Sequence, residues 1–282
     1  MDLVDKILTS AKDLPTLPTV YSALCDTIAN ARSTADDVAK VISTDQASTL
    51  KILRIANSAF YGFSGKVETV SRAVMILGFN EVRNIVLASS IINLFTKKKT
   101  LFNFKPSDFW AHSIAVGLAT RLLGQAVGGR NSENFFVAGI LHDIGKLFIF
   151  ESAEDEFAKI LALAAERRQF IREAELEVLG MDHSLIGSLL ADQWKLPEPI
   201  HNAIRYHHFG MIGDKPDLTV ASVHIGDILA RAFELGFPGD DLVPQPNEGV
   251  WEGLPLEPGT IEKMRPTLLR DYEETIGTLL LT

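Results

Sequence analysis

Seven ligand-type residues are spread over residues 112–227 of this chain: His112, the adjacent pair His142 and Asp143, His183, the adjacent pair His207 and His208, and Asp227. The pair His142-Asp143 lies inside VAGILHDIGKLFIF (137–150), an otherwise apolar run in which Lys146 follows closely. Burying such groups unpaired costs several kcal/mol, about 2–7 for a single neutral polar group, so something must hold them. A metal ion, a phosphate or a structural hydrogen bond would each suffice. The set carries more weight than its members, because a lone helical His is more often packed or solvated than functional. Adjacent residues on a helix diverge by about 100°. On that basis a His-Asp or His-His pair serves two neighbouring metals, or one metal and a substrate, rather than one metal face.

These residues fall on a succession of helical patterns. LPTVYSALCDTIANA carries Val20, Leu24 and Ile28 at fourfold spacing, ADDVAKVIST follows a cap at Ser33 or Thr34, and QASTLKILRIANSAF follows one at Thr44 or Asp45, with Leu50, Leu53 and Ile55 expected inward. A short helix ends at Gly78, and NEVRNIVLASSIINLF starts at Asn80. TKKKTLFNFKPS (96–107) reads as a junction, with Ser107 capping DFWAHSIAVGLATRLLGQAV. FFVAGILHDIGKLFIF reads as one buried helix. Asp182 caps HSLIGSLLADQW, PEPIHNAIRYHHF begins with Pro in its first turn, and Thr219 opens TVASVHIGDILARAFELG. The Pro- and Gly-rich stretch from Phe237 ends in a helix interrupted by Pro266. No strand pattern or repeat stands out. The expectation is an all-α protein of two helical subdomains, 1–100 and 101–235, with a C-terminal helical tail, 236–282.

Composition narrows the chemistry. The chain has 282 residues, 46% hydrophobic and 22% charged, as in a globular protein. Its single cysteine, Cys25, excludes a disulfide framework and a Cys-rich zinc site. Any metal is left to His and carboxylate, which suits iron, manganese, zinc or magnesium. The net charge of −9 argues against direct nucleic-acid binding. No signal peptide and no apolar run of the ~18 residues a membrane span needs is present, so the expected location is cytoplasmic, away from membranes.

The pattern H…HDxGK…H…HH…D resembles the ligand set of the HD superfamily of metal-dependent phosphohydrolases. LPTLPTV (14–20), DQASTLKILRIANSAFYG (45–62), VETVSRAVMILGFNEVRNIVL (67–87), FWAHS (109–113) and DHSLIGSLLADQWKLPEPIHNAIRYHH (182–208) are similar to the HDOD family, the HD-related output domain of bacterial signalling proteins. The resemblance implies an HD-like helical bundle in the C-terminal subdomain. It also implies one or two divalent ions, iron or manganese favoured, held by His112, His142, Asp143, His183, His207, His208 and Asp227. Asp143 and Lys146 would be the residues facing phosphate chemistry, with Asp108, one turn before His112, as an extra carboxylate. Signalling proteins or a nucleotide are the implied partners. Three functions follow: an output module with a metal site, a metal-dependent phosphohydrolase, or a metal-free helical scaffold. The Gly-Tyr-Pro signature of the related cyclic di-GMP phosphodiesterases is replaced by FGMIGDKPDL after His208.

Blander roles are expected elsewhere. His201 reads as surface and His224 as a packed helix residue or a support for the ligands. Asn57 reads as a backbone cap beside a turn at Gly62. Trp110 and Trp194 read as core, and Lys51, Arg54 and Arg72 as a solvated face.

Overall fold

Helix starts follow local capping chemistry. The Thr34 hydroxyl accepts from the Asp37 N–H (3.3 Å), and Asp37 Oδ2 accepts from the Thr34 N–H (3.0 Å), a reciprocal cap. The computed structural model describes residues 17–57, 65–95, 100–128 and 133–279, so Gly62 lies outside the described residues. Among the described residues the fold is all-α apart from one two-stranded hairpin. The chain divides into two units, one taking in Thr16–Leu94 and the other Phe95–Leu268, with Leu269 onward belonging to the first.

The first unit holds α1 (Thr19–Ala29), α2 (Ala35–Ile42), α3 (Gln46–Ala56), α4 (Val70–Leu77) and α5 (Phe79–Leu94). Leu24, Val38, Ile42, Ile52 and Val82 are fully buried in it. The inward stripe of α3 differs from expectation. Ser48, Lys51, Ile52 and Ile55 are buried, and Leu50 is 47% exposed. Asp45, which accepts from Ser48 N at 2.9 Å, fixes where the helix begins, and Leu50 falls on its outer side. Lys51 is therefore not solvated. Its Nζ donates to Asn93 Oδ1 (3.3 Å), and burial lowers its pKa. Arg54 and Arg72 are exposed. Asn57 bonds backbone as expected, donating to Leu53 O (2.7 Å) and Val67 O (2.8 Å) and accepting from Val67 N (2.8 Å).

The second unit begins with α6 (Pro106–Ala126), α7 (Glu133–Leu141), α8 (Ile144–Ser152) and α9 (Glu154–Arg167). It continues through α10 (Ile171–Leu179), α11 (His183–Gln193), α12 (Glu198–Tyr206), the strands β1 (Met211–Ile212) and β2 (Lys215–Pro216), α13 (Leu218–Ala232), α14 (Val250–Gly253) and the start of α15 (Thr260–Leu279). The hairpin was not expected, because two-residue strands are too short to show alternation. Ser107 is not the cap of α6. Pro106 occupies the first turn behind Lys105, and the Ser107 hydroxyl donates to Asp108 (3.1 Å). Asp217, not Thr219, caps α13 by accepting from Val220 N (2.9 Å), and α15 runs through Pro266 without ending. The segment after residue 236 packs on the bundle, with Val250 and Leu254 fully buried beside Leu123, Ala221 and Ile225.

The apolar run 135–150 is two helices, not one. Asp143 (φ −100°, ψ 10°) stands between α7 and α8. The His142 ring bonds the Gly139 carbonyl (2.7 Å), the acceptor an unbroken helix would use for the Asp143 N–H. Two glycine contacts set how closely the flanking helices approach. A Cβ on Gly139 would lie 2.6 Å from Gly117 Cα, so α6 and α7 cross backbone to backbone. A Cβ on Gly145 would collide with the His183 carbonyl, so α8 lies directly on the start of α11. No single helix among the described residues is long and apolar enough to cross a membrane. The pair α4–α5 meets that test only when taken together, and it is bent by 112°.

Candidate metal centre

Six helices converge on one buried cluster. α6 brings His112, the α7–α8 break brings His142 and Asp143, α8 brings Lys146, and α11 opens with His183. His207 and His208 follow the last turn of α12, and α13 brings Asp227. Donor atoms fall into three overlapping groups, each within 4.8 Å: His112, His142 and Asp227; His142, Asp143 and His207; His183, His207 and His208. All seven residues expected from sequence are thus brought together. Six of them are at most 6% exposed, while His208 is partly buried. Lys146, fully buried, donates to Asp143 Oδ2 at 2.6 Å.

The expectation that adjacent ligands diverge is corrected. His142 Nε2 lies 3.3 Å from Asp143 Oδ2, and both face His207. The rings of His207 and His208 are 4.0 Å apart, and a His183 donor lies within 4.8 Å of a donor from each. The first pair sits in the break between α7 and α8, and the second just past the last turn of α12. Asp108 does not join the cluster. Its carboxylate is 44% exposed, close to Lys105 and Ser107, in the first turn of α6 where it reaches solvent. His201 is partly exposed, 3.2 Å from Asp192. Trp110 and Trp194 are buried, as read from sequence. His224 is a support, with Nδ1 donating to the His207 carbonyl (2.7 Å).

Each of three imidazoles is turned with Nε2 inward. His142 Nδ1 bonds Gly139 O (2.7 Å) and His207 Nδ1 bonds Ile204 O (2.9 Å). A carbonyl only accepts, so Nδ1 carries the proton and the Nε2 lone pair faces the cluster. His183 Nδ1 meets Glu175 Oε2 at 2.6 Å, and the same oxygen accepts from His183 N at 2.8 Å. Burial lowers His112 and pushes His207 down to about 4. Burial also holds His208 well below its usual value, and the neighbouring imidazoles add to this. Burial alone would raise Asp143, but His142, Lys146 and His183 keep it well below the carboxylate range. Asp227 is likewise kept low, against burial, by Arg231 and His112. Neutral imidazoles beside ionised carboxylates are the protonation states a metal requires. His183 differs. Burial would lower it, but the charges of Glu175 and Asp143 outweigh that and raise it to about 9.

The donors fit a divalent ion. His112 Nε2, His142 Nε2, His207 Nε2 and Asp143 Oδ1 are buried without a hydrogen bond, each such orphan costing about 1–3 kcal/mol. They nonetheless crowd one another. Asp143 Oδ1 is 3.0 Å from His183 Nε2 and 3.4 Å from His207 Nε2, His112 Nε2 is 3.0 Å from Asp227 Oδ1, and His183 Nε2 is 3.0 Å from His208 Nε2. Donors bonded at about 2.1 Å to one ion stand about 3.0 Å apart at right angles and about 3.4 Å apart in a tetrahedron.

Sequence reasoning missed the residues that hold the ligands. Glu175 orients His183 from a different helix, and nothing in its sequence position announces this. Arg231, whose Nε donates to both Asp227 oxygens (3.0 and 3.2 Å), could have been found at one turn after Asp227. Asp182 joins Arg172 (2.7 Å) to the start of α11.

The sequence matches the HDOD domain family over residues 14–209. It is 26% identical over 200 residues to an uncharacterised protein of Treponema pallidum (strain Nichols), covering 70% of this chain and 38% of that one, so the chain spans about two fifths of that relative's length. It is similar to the crystal structure of an HDOD domain protein of unknown function from Geobacter sulfurreducens, with a TM-score of 0.81, 26% identity, and coverage of 99% and 98%. It is also similar to that of a candidate phosphohydrolase from Shewanella amazonensis SB2B, with a TM-score of 0.76, 25% identity, and coverage of 97% and 98%.

Proposed function

The chain belongs to the HDOD domain family, and from that premise we propose that it is a signal-output module built round a divalent metal centre. The observation carrying this is the convergence of His112, His142, Asp143, His183, His207, His208 and Asp227, with unsatisfied Nε2 and carboxylate donors turned toward one another. These residues hold one or two ions. Mixed imidazole and carboxylate donors favour iron or manganese, with zinc or magnesium as alternatives. The module presents this centre to a nucleotide or a signalling protein in the cytoplasm.

A second reading, metal-dependent phosphohydrolysis, is favoured by Lys146. Its buried ammonium sits on Asp143 (2.6 Å), where it can neutralise charge on a phosphate. The ion would supply an activated water at neutral pH. Asp143 would help hold that ion, and Lys146 would face the phosphate.

Manganese-loaded and metal-stripped protein are compared for nucleotide binding by calorimetry and for release of p-nitrophenolate from bis(p-nitrophenyl) phosphate. Metal-dependent nucleotide binding without turnover supports the output reading. Turnover lost in Asp143→Asn and Lys146→Met establishes the hydrolase. Loaded protein that neither binds nor cleaves overturns both nucleotide readings and leaves a protein partner as the target.

A further inference from the structure

The family match stops at residue 209, yet the segment joining α13 to α14 is bonded to two elements that carry cluster residues, α6 and α13. At its near end the Phe237 N–H donates to the Asp108 carbonyl (2.9 Å), in the turn of α6 just before His112. In its middle, Arg231 Nη1 donates to Asp240 Oδ1 (2.8 Å) and to the Leu242 carbonyl (3.1 Å), while the Nε of the same side chain holds Asp227. Asp240 is buried and also accepts from Ile171 N (3.0 Å) and Leu242 N (3.0 Å). At its far end the Asn247 N–H donates to His224 Nε2 (3.2 Å), whose Nδ1 donates to the His207 carbonyl (2.7 Å).

We propose that residues 236–249 form a strap that positions Asp227 and His207 for the metal, with Arg231 and Asp240 as the positioning pair. The proposal rests on the reading of the cluster as a metal centre. A guanidinium bonded to both oxygens of Asp227 fixes the orientation of that carboxylate. Arg231 alone would cancel the charge of Asp227. Asp240 returns it, so the trio Asp227–Arg231–Asp240 keeps one net negative charge facing the ion. Partners at this remove from an ion change its affinity about 10–100-fold. Coupling is reciprocal, so an ion that is held better by the closed strap holds the strap closed in turn.

Metal-stripped full-length protein is titrated with manganese well below its melting temperature. Arg231→Lys and Asp240→Asn are expected to bind it about 10–100-fold more weakly. Cobalt-loaded forms of both should show a shifted visible absorption spectrum. Leu254→Ala, which removes a fully buried contact outside the strap, should melt earlier yet keep the wild-type affinity and spectrum. Hydrogen exchange needs no variant. Manganese should slow exchange of the Phe237, Leu242 and Asn247 amides at least tenfold in the wild type. Strap variants within twofold of wild-type affinity, or strap amides indifferent to manganese in a protein that binds it, overturn the proposal. A wild type that takes up no manganese or cobalt removes the metal reading itself, and the strap proposal with it.

Discussion

Gly145→Ala should damage both stability and metal affinity through one methyl group. The added carbon would collide with the His183 carbonyl and lie 2.9 Å from Gly187 N and from His183 C. Ordinary contact needs about 3.5–4.0 Å. Every obstructing atom is backbone, so α8 and α11 must separate by about 1 Å. Overpacking of this kind costs about 1–3 kcal/mol. For a protein of this size each kcal/mol lowers Tm by about 2–4 °C, giving a fall of about 2–12 °C. The same displacement carries His183 away from Asp143 Oδ1 and from His208, both 3.0 Å from its Nε2. Metal ligands tolerate about ±0.2 Å, so affinity falls with stability. A tenfold weaker site loses about 1.4 kcal/mol of metal-induced stabilisation at saturating metal. Calorimetric melts with and without manganese read both effects, the first as a lower Tm and the second as a smaller increment on loading. Gly277→Ala is the contrast, since its Cβ meets nothing within 4 Å and a gain of about 0.4–1 kcal/mol is expected. Wild-type melting and a wild-type manganese increment in Gly145→Ala would refute the role given to this glycine.

Three further outcomes follow from the same geometry. Lys146→Met leaves Asp143 buried without its 2.6 Å partner and should cost about 3–5 kcal/mol in the metal-free protein but less once manganese is bound; equal losses in both states, by denaturant titration, would contradict this. His183 is raised from 6.5 to about 9 in the folded, metal-free protein, so the stability it contributes is complete below pH 6.5 and disappears as the pH climbs toward 9. Melts of stripped protein should fall across that window while manganese affinity rises with release of a proton, and calorimetry in buffers of different ionisation enthalpy would expose a flat profile as a refutation. Thr34→Ala removes the reciprocal cap of α2 and should cost about 1 kcal/mol with unchanged manganese affinity, because Thr34 lies in the unit that does not hold the cluster.

Capping is local chemistry, so Thr34, Asp45 and Asp182 could be read from sequence as helix starts. The buried cluster was legible for a different reason: His and Asp are conspicuous inside apolar helices, and the HD pattern orders them. The break at His142-Asp143 was not legible, because apolar residues run unbroken on both sides and the interruption comes from the His142 ring taking a backbone carbonyl. Lys51 was read as solvated because a charge on a short helix usually is; its burial depends on Asn93, 42 residues away. Glu175, Arg231 and Asp240 act only through tertiary placement, and of these Arg231 alone has a sequence cue, its spacing of one turn from Asp227. Asp108 shows the reverse error, since correct helical spacing put it on the right stripe but at a turn that opens to solvent.

The central claim is that the HDIGK segment grips metal. Elemental analysis of the purified protein, set beside the double variant His142→Ala, Asp143→Ala, tests it most directly. One or two equivalents of iron or manganese in the wild type, lost from a variant that still folds by circular dichroism, is the predicted result. A wild type that holds no metal even after anaerobic reconstitution, or a double variant that keeps its full complement, would contradict it.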